Sequence, residues 1–149
     1  MNLTEVQGDI FLAPYDSKFV QCISADYVMG KGIATQFNER FNTKQRILDR
    51  YEPVEIFRNG YCIYDGLITY CLVTKGKYYQ KPTYKSLEES LIDLRDNWIL
   101  PNYSEDEDII ITSPKIGCGL DKLDWESVKT IIINTFAYID NLIWYVYYL

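Results

Sequence analysis

The sequence predicts an α/β sandwich around a mixed central sheet, and three observations carry that prediction. Short runs of β-branched and aromatic residues alternate with stretches of helical periodicity along the 149 residues. Two glycine turns, Gly30-Lys31-Gly32 and Gly117-Cys118-Gly119, each follow an apolar run and lead into a helix-like stretch. The dipeptides Asn59-Gly60 and Asp65-Gly66 separate strand candidates, and both suit two-residue hairpins because Asn, Asp and Gly tolerate positive φ.

The elements follow in order. Leu3 to Val6 alternates weakly as a short strand, and Gly8 to Phe11 turns the chain. Phe19 to Ile23 is a stronger strand. A helix opens after Gly32, with Ile33, Phe37 and Phe41 four apart on one face. Thr43 to Arg50 reads as a short polar helix that Pro53 closes. Val54 to Phe57, Tyr61 to Tyr64 and Leu67 to Val73 read as a small meander of strands. Thr83 is a good N-cap for the next helix, whose stripe is Leu87, Leu91, Leu94 and Trp98. Leu100 to Asp108 is a polar, acidic surface loop. Ile109 to Ile111 is a buried strand. Asp124 suits the N-cap of the last helix, which buries Val128, Ile132, Phe136 and Ile139, and Leu142 to Tyr148 closes the sheet.

Composition bounds the function. A chain of this length, 48% hydrophobic, is expected to form one domain, residues 1–149, with a real core. The net charge of −6 argues against a general nucleic-acid or anionic-membrane binder, which needs clustered Lys and Arg. Histidine is absent, which excludes Ser-His-Asp and Cys-His chemistry and HExxH zinc sites, so any acid or base must be Asp, Glu, Lys, Tyr or Cys. The four cysteines form no CxxC pair, and neither a zinc site nor another metal or cofactor is expected. With no signal peptide and no long apolar run, the simplest expectation is a reduced, intracellular protein that does not enter a membrane.

The segment Ser113–Trp125 (SPKIGCGLDKLDW) organises the chemistry. A buried strand feeds a glycine-rich turn and the turn feeds a helix, which aims backbone N–H groups and a positive helix end at one spot suited to phosphate. The residues from Gly30 to Gly32 supply a second set of N–H groups. In an open α/β sheet two such turns can meet in one crevice. Neither turn matches a P-loop or the GxGxxG fingerprint, so the residues alone support an anion-binding cleft or two ordinary strand–helix connections. Taken singly, Asp9 is a turn residue and Lys75 an exposed strand-end lysine.

Taken together, Gly8-Asp9-Ile10-Phe11, Cys22-Ile23-Ser24, Met29 to Ala34, Leu72 to Lys75, Lys81 to Tyr84, Pro114 to Asp121 and Leu123 to Glu126 resemble, in this order, a macro domain. Within that family they are most similar to the terminal ADP-ribose protein glycohydrolase branch. The resemblance runs from Gly8 to Leu149. It implies a three-layer α/β/α macro-domain sandwich that binds ADP-ribose. Asp9, with Ile10 beside it, matches the position that accepts a hydrogen bond from the adenine amino group. Met29, Gly30, Lys31, Gly32 and Ile33, together with Pro114, Lys115, Ile116, Gly117, Cys118, Gly119 and Leu120, would wrap the diphosphate and distal ribose. Ser24 and Leu149 match ligand contacts, and Thr74 precedes the match to the catalytic lysine.

The catalytic pair of that branch falls on Lys75 and Asp121. The resemblance thus implies an ADP-ribosyl hydrolase and O-acyl-ADP-ribose deacylase with a lysine nucleophile and an aspartate acid/base. A lysine attacks only when neutral. Its free pKa is about 10.4, so burial or a nearby cation, for example Lys77 beside Tyr78 and Tyr79, is expected to lower it. Cys118 is expected to pack rather than react. Two departures from the family pattern stand out. Gln21 replaces a frequent histidine, and Lys31 replaces a small residue between the glycines. Two alternatives remain: a phosphatase for ADP-ribose-1″-phosphate, which would not need Lys75, and a reader that binds ADP-ribose without cutting it. The implied partner is ADP-ribose or an ADP-ribosylated protein or nucleic acid, met by a monomer.

Overall fold

The computed structural model describes all of residues 1–149. Its centre is one six-stranded sheet in the order β1-β6-β5-β2-β4-β3. The strands are β1 (Asn2–Gln7), β2 (Lys18–Ser24), β3 (Tyr61–Tyr64), β4 (Thr69–Lys75), β5 (Ile109–Ser113) and β6 (Leu142–Tyr148). Neighbours run parallel except β3, which pairs antiparallel with β4 at the edge, so the sheet is mixed.

Helices cover both faces, as the alternation of side chains along β2 and β4 requires. On one face Val20, Tyr70 and Leu72 join the core of α3 (Tyr84–Asp93) and α5 (Trp125–Thr135). There the expected stripes bury Leu87, Leu91, Leu94, Val128, Ile132 and Phe136. On the other face Ile23, Cys71 and Val73 pack with Ile47 of α2 (Thr43–Leu48). Phe19 packs there with Phe37 of α1 (Gly32–Phe41), and the Phe19 and Phe37 rings stand 5.3 Å apart edge to face. This is the three-layer α/β/α sandwich expected.

Local chemistry sets the helix ends. Thr83 and Ser86 form a reciprocal capping box at α3, and Asp124 caps α5 through the Ser127 N–H. Beyond Asp93 the chain stays helical through a π-helical stretch, Leu94–Ile99, and the short α4, Leu100–Asn102. The polar loop therefore begins at Tyr103, three residues later than the composition suggests.

Two readings of the middle of the chain need correction. Val54 to Phe57 is irregular rather than a strand, and Asn59-Gly60 is not a hairpin turn. Gly60 is needed for close approach instead: a Cβ there would run into the backbone carbonyl of Ser86, so the glycine lets the chain entering β3 lie against α3. The Asp65-Gly66 hairpin exists, but its loop holds three residues, because the Asp65 N–H donates to the Thr69 carbonyl at 3.0 Å. The buried Asp65 carboxylate accepts the Leu67, Ile68 and Thr69 N–H groups at 2.8, 2.8 and 3.0 Å, which stabilises the longer loop.

The order of the strands positions the site. From β2 the chain passes through β3 to β4 on one side, and β5 leads to β6 on the other. The carboxyl ends of β2 and β5 therefore flank a topological switch point, where an open α/β sheet leaves a crevice.

Candidate active site

A cavity of about 1220 Å³ occupies that crevice. Both glycine turns line it, together with the ends of β2 and β4, the Gly8–Ile10 turn and Tyr147 to Leu149.

The first wall is the loop from β2 to α1. Asp26 is its anchor. Its carboxylate accepts the Ser24 hydroxyl, the Val28 N–H at 3.1 Å and, from the loop after β4, the Tyr78 N–H at 2.9 Å. Burial alone would raise the Asp26 pKa, but these three hydrogen bonds and nearby Lys77 outweigh it and hold the carboxyl below the usual carboxylate range. The loop delivers the chain to Lys31, the N-cap of α1, which provides no side-chain cap. The first turn of α1, Gly32 to Ala34, lines the cavity, so its N–H groups are available to an anion.

The second wall, from β5 to α5, is built differently. Turn hydrogen bonds close it on itself: Cys118 N–H to the Lys115 carbonyl at 3.1 Å, Lys122 N–H to Gly119 at 3.1 Å and Leu123 N–H to Gly117 at 2.8 Å. Gly117 has φ of +73°, which favours glycine. Residues Pro114 to Lys122 line the cavity, but the start of α5 does not and is already capped by Asp124. The expectation that this turn aims a helix end at the ligand is therefore corrected. The loop offers its own backbone and the Asp121 side chain.

Lys75 ends β4. Its Nζ stands 2.7 Å from Asp121 Oδ1, with the two side chains only 14% and 15% exposed. Just outside, Lys81 Nζ donates to the Leu120 carbonyl at 2.6 Å and ties the loop after β4 to the Asp121 loop. The group in contact with the amine is a carboxylate, not the cation expected from Lys77. An ammonium at 75 thus has a proton acceptor within hydrogen-bond distance.

Most of the residues singled out in the sequence line the cavity. They are Asp9, Ile10, Ser24, Gly30, Lys31, Gly32, Ile33, Lys75, Pro114 to Asp121, and Leu149. Asp9 Oδ1 caps the Phe11 N–H at 2.9 Å, which leaves the second carboxylate oxygen for a ligand. Two residues do not line it. Met29 is buried in the core beneath α1, where its carbonyl accepts the Thr35 hydroxyl, and Thr74 is buried beside a neighbouring hollow. Gln21 does not reach the cavity either. It is fully buried with its amide against the Cys71 sulfur, so it is a packing difference. Lys115 lines the cavity, but its ammonium lies 4.6 Å over the Tyr148 ring and 3.9 Å from Glu5.

Sequence reasoning missed Val28, Gln36, Lys122 and Tyr147 as lining residues and Asp26 as the tether between loops. Asp26 carried a usable signal, since an Asp two residues after a strand commonly captures backbone N–H groups. The cysteines beside the pair are poor nucleophiles. Burial, with Asp124 adding, pushes the Cys118 thiol up to about 11. Burial and the Asp121 charge push Cys22 well up. No three Cys, Asp or Glu side chains converge as a metal-ligating set, and no helix is long and apolar enough to cross a membrane.

Comparison with known proteins places this geometry. No family model matches the chain. The bovine (Bos taurus) ADP-ribose glycohydrolase OARD1 is 35% identical over 141 residues, covering 93% of this chain and 86% of the relative. The human (Homo sapiens) protein of the same name is 33% identical over the same shares. Among solved structures, the macrodomain of Thermus aquaticus DarG superposes with a TM-score of 0.73 at 26% identity, covering 99% of this chain and 98% of that one.

Proposed function

The chain belongs to the macrodomain family that includes ADP-ribose glycohydrolase OARD1, and on that premise we propose that it is an ADP-ribosyl hydrolase using Lys75 as nucleophile and Asp121 as acid/base. One observation carries the reading: residues 46 positions apart meet at 2.7 Å, mostly shielded from solvent, in the wall of a cavity large enough for a dinucleotide-sized ligand. Asp9 accepts the adenine amino group. The first turn of α1 and the backbone of residues 115–120 surround the diphosphate, where N–H groups replace the missing cluster of cations. The distal ribose lies at Lys75 and Asp121, near Ser24.

The reaction follows from the pair. Asp121 takes a proton from Lys75, and the neutral amine attacks the anomeric carbon of the distal ribose. A carbon–nitrogen bond forms, and the carbon–oxygen bond to the carrier breaks as the carrier leaves as a carboxylate. Asp121 relays the nitrogen's extra proton to the ring oxygen, which opens the sugar to an iminium. Water adds to that carbon, the carbon–nitrogen bond breaks with its electron pair returning to the amine, and the ring recloses to free ADP-ribose. One proton is released with the carboxylate, as ester hydrolysis requires. Small O-acyl esters of ADP-ribose are turned over at the same site.

Turnover of an ADP-ribosyl-glutamate peptide is the test. Lys75→Ala should cut it by about a thousandfold or more, the scale of losing an activated nucleophile. Reduction of the working wild-type enzyme should trap a sugar adduct on Lys75, visible by mass spectrometry. Unchanged ester turnover in the variant would overturn the proposal. Phosphate release from ADP-ribose-1″-phosphate that survives alongside it would favour the phosphatase.

A further inference from the structure

A second hollow, of about 420 Å³, adjoins the main cavity and shares Lys75 and Lys81 with it. Its lining is almost wholly polar, with Phe57 the single apolar residue. The proposed reaction does not use it. Its charge is mostly positive, with Glu89 the one carboxylate. Arg58 and Lys85 line it, and none of the protein's ion pairs involves either. Gln80 spends its amide oxygen on the Lys77 N–H, which leaves its NH₂ as a donor. Of the acceptors, Glu89 takes the Gly60 N–H on one oxygen and keeps the other, and Thr83 and Ser86 bond each other in the cap of α3. Arg58 and Lys85, with Lys81 at the rim, outnumber the one carboxylate, and that surplus of cationic donors suits an anion. That is a local reversal of charge in a chain of net −6.

Its position says which anion. Lys81, bonded to the Leu120 carbonyl, forms the rim between the two spaces. If ADP-ribose fills the large cavity, as proposed above, the severed bond lies at Lys75 and the carrier continues across this rim. We propose that the second hollow is a carrier subsite that takes an acidic side chain flanking the modified residue of an ADP-ribosylated protein. Two exposed, unspent cations on one open hollow match one or two carboxylates. A nucleic-acid backbone needs a run of phosphate contacts, and the acidic surface of the protein opposes one.

This inference rests on the hydrolase reading, and the experiment separates the two. Three substrates are compared by kcat/KM, alongside an ADP-ribosylated oligonucleotide: an ADP-ribosyl-glutamate peptide with acidic neighbours, the same peptide with glutamine neighbours, and O-acetyl-ADP-ribose, which does not reach the hollow. Wild-type protein should favour the acidic peptide by about tenfold, and salt should erode the preference. The double variant Arg58→Glu/Lys85→Glu should lose about tenfold on the acidic peptide, lose the preference, and hold its rate on the small ester within about twofold. An equal loss on all three substrates, no loss on the acidic peptide, or a matching loss confined to an ADP-ribosylated oligonucleotide would overturn the assignment. If wild-type protein turns over none of them, the hydrolase reading falls. The hollow is then judged by binding of the modified acidic peptide, which the double variant must weaken and must not weaken for the glutamine peptide.

Discussion

The two glycine turns look alike in sequence and differ in construction. The turn before α1 runs straight into a helix whose N-cap, Lys31, leaves the first N–H groups without a side-chain partner. The turn after β5 folds on itself through three backbone hydrogen bonds and reaches α5 only after Asp124 has capped it. The first can hold a fixed negative charge with a helix end. The second can hold a reactive carboxylate still. A strand–glycine–helix pattern therefore says that backbone will be presented, and the residues at the helix start decide whether the helix takes part.

That division can be broken experimentally. The largest effect should come from Asp121→Asn, which keeps the loop's shape and removes the proposed base. Ester turnover should fall by about a hundredfold to ten-thousandfold while ADP-ribose affinity, measured by calorimetry, stays within a few-fold. A parallel loss of affinity would mean that the second turn binds as much as it reacts. Next is Gly117→Ala. An L-residue at a φ of +73° should cost about 1–2 kcal/mol, and the new Cβ would also press on the Leu123 side chain, so the urea midpoint should drop. Gly119→Ala, which meets nothing within 4 Å, should leave the midpoint nearly unchanged. Equal effects of the two would show that the turn is not held as described.

A smaller effect separates the helices. Asp124→Ala should cost about 1 kcal/mol of stability through the lost cap on α5. Because that helix start is outside the cavity, ADP-ribose affinity should not change. The smallest effect concerns Asp26, which ties the first turn to the loop carrying Tyr78. Its folded pKa lies below its unfolded value, so its contribution to stability is complete above the unfolded value and is lost as pH falls through the folded one. Chemical denaturation between pH 6 and 3 should show wild type losing stability relative to Asp26→Asn at the acid end. Parallel curves would remove Asp26 from its anchoring role.

Much of this protein is written locally. The stripes on α3 and α5, the caps Thr83 and Asp124, the Ile109–Ile111 strand and the Asp65-Gly66 hairpin depend on residues within a few positions of one another, and local periodicity and turn chemistry report them. The errors cluster where the partner is distant. Asn59-Gly60 looked like a turn because nothing nearby reveals that α3 presses on Gly60. The effect of Gln21 stayed open in the sequence because only the β2–β4 pairing shows it facing Cys71. The motif residues located the cavity and paired Lys75 with Asp121, but gave no sign of the Lys81 rim or the second hollow.

The sequence by itself determined the alternation of strands and helices, the exclusion of histidine chemistry and the identity of the residues able to react, because each follows from residue type and short-range spacing. Only the tertiary structure decided that Lys75 meets Asp121, that one helix start and not two lines the cavity, and that unspent cations collect next to the pair. Those outcomes depend on strand order. The switch between β2 and β5 brings loops from distant parts of the chain to one sheet edge, and no local pattern encodes that meeting.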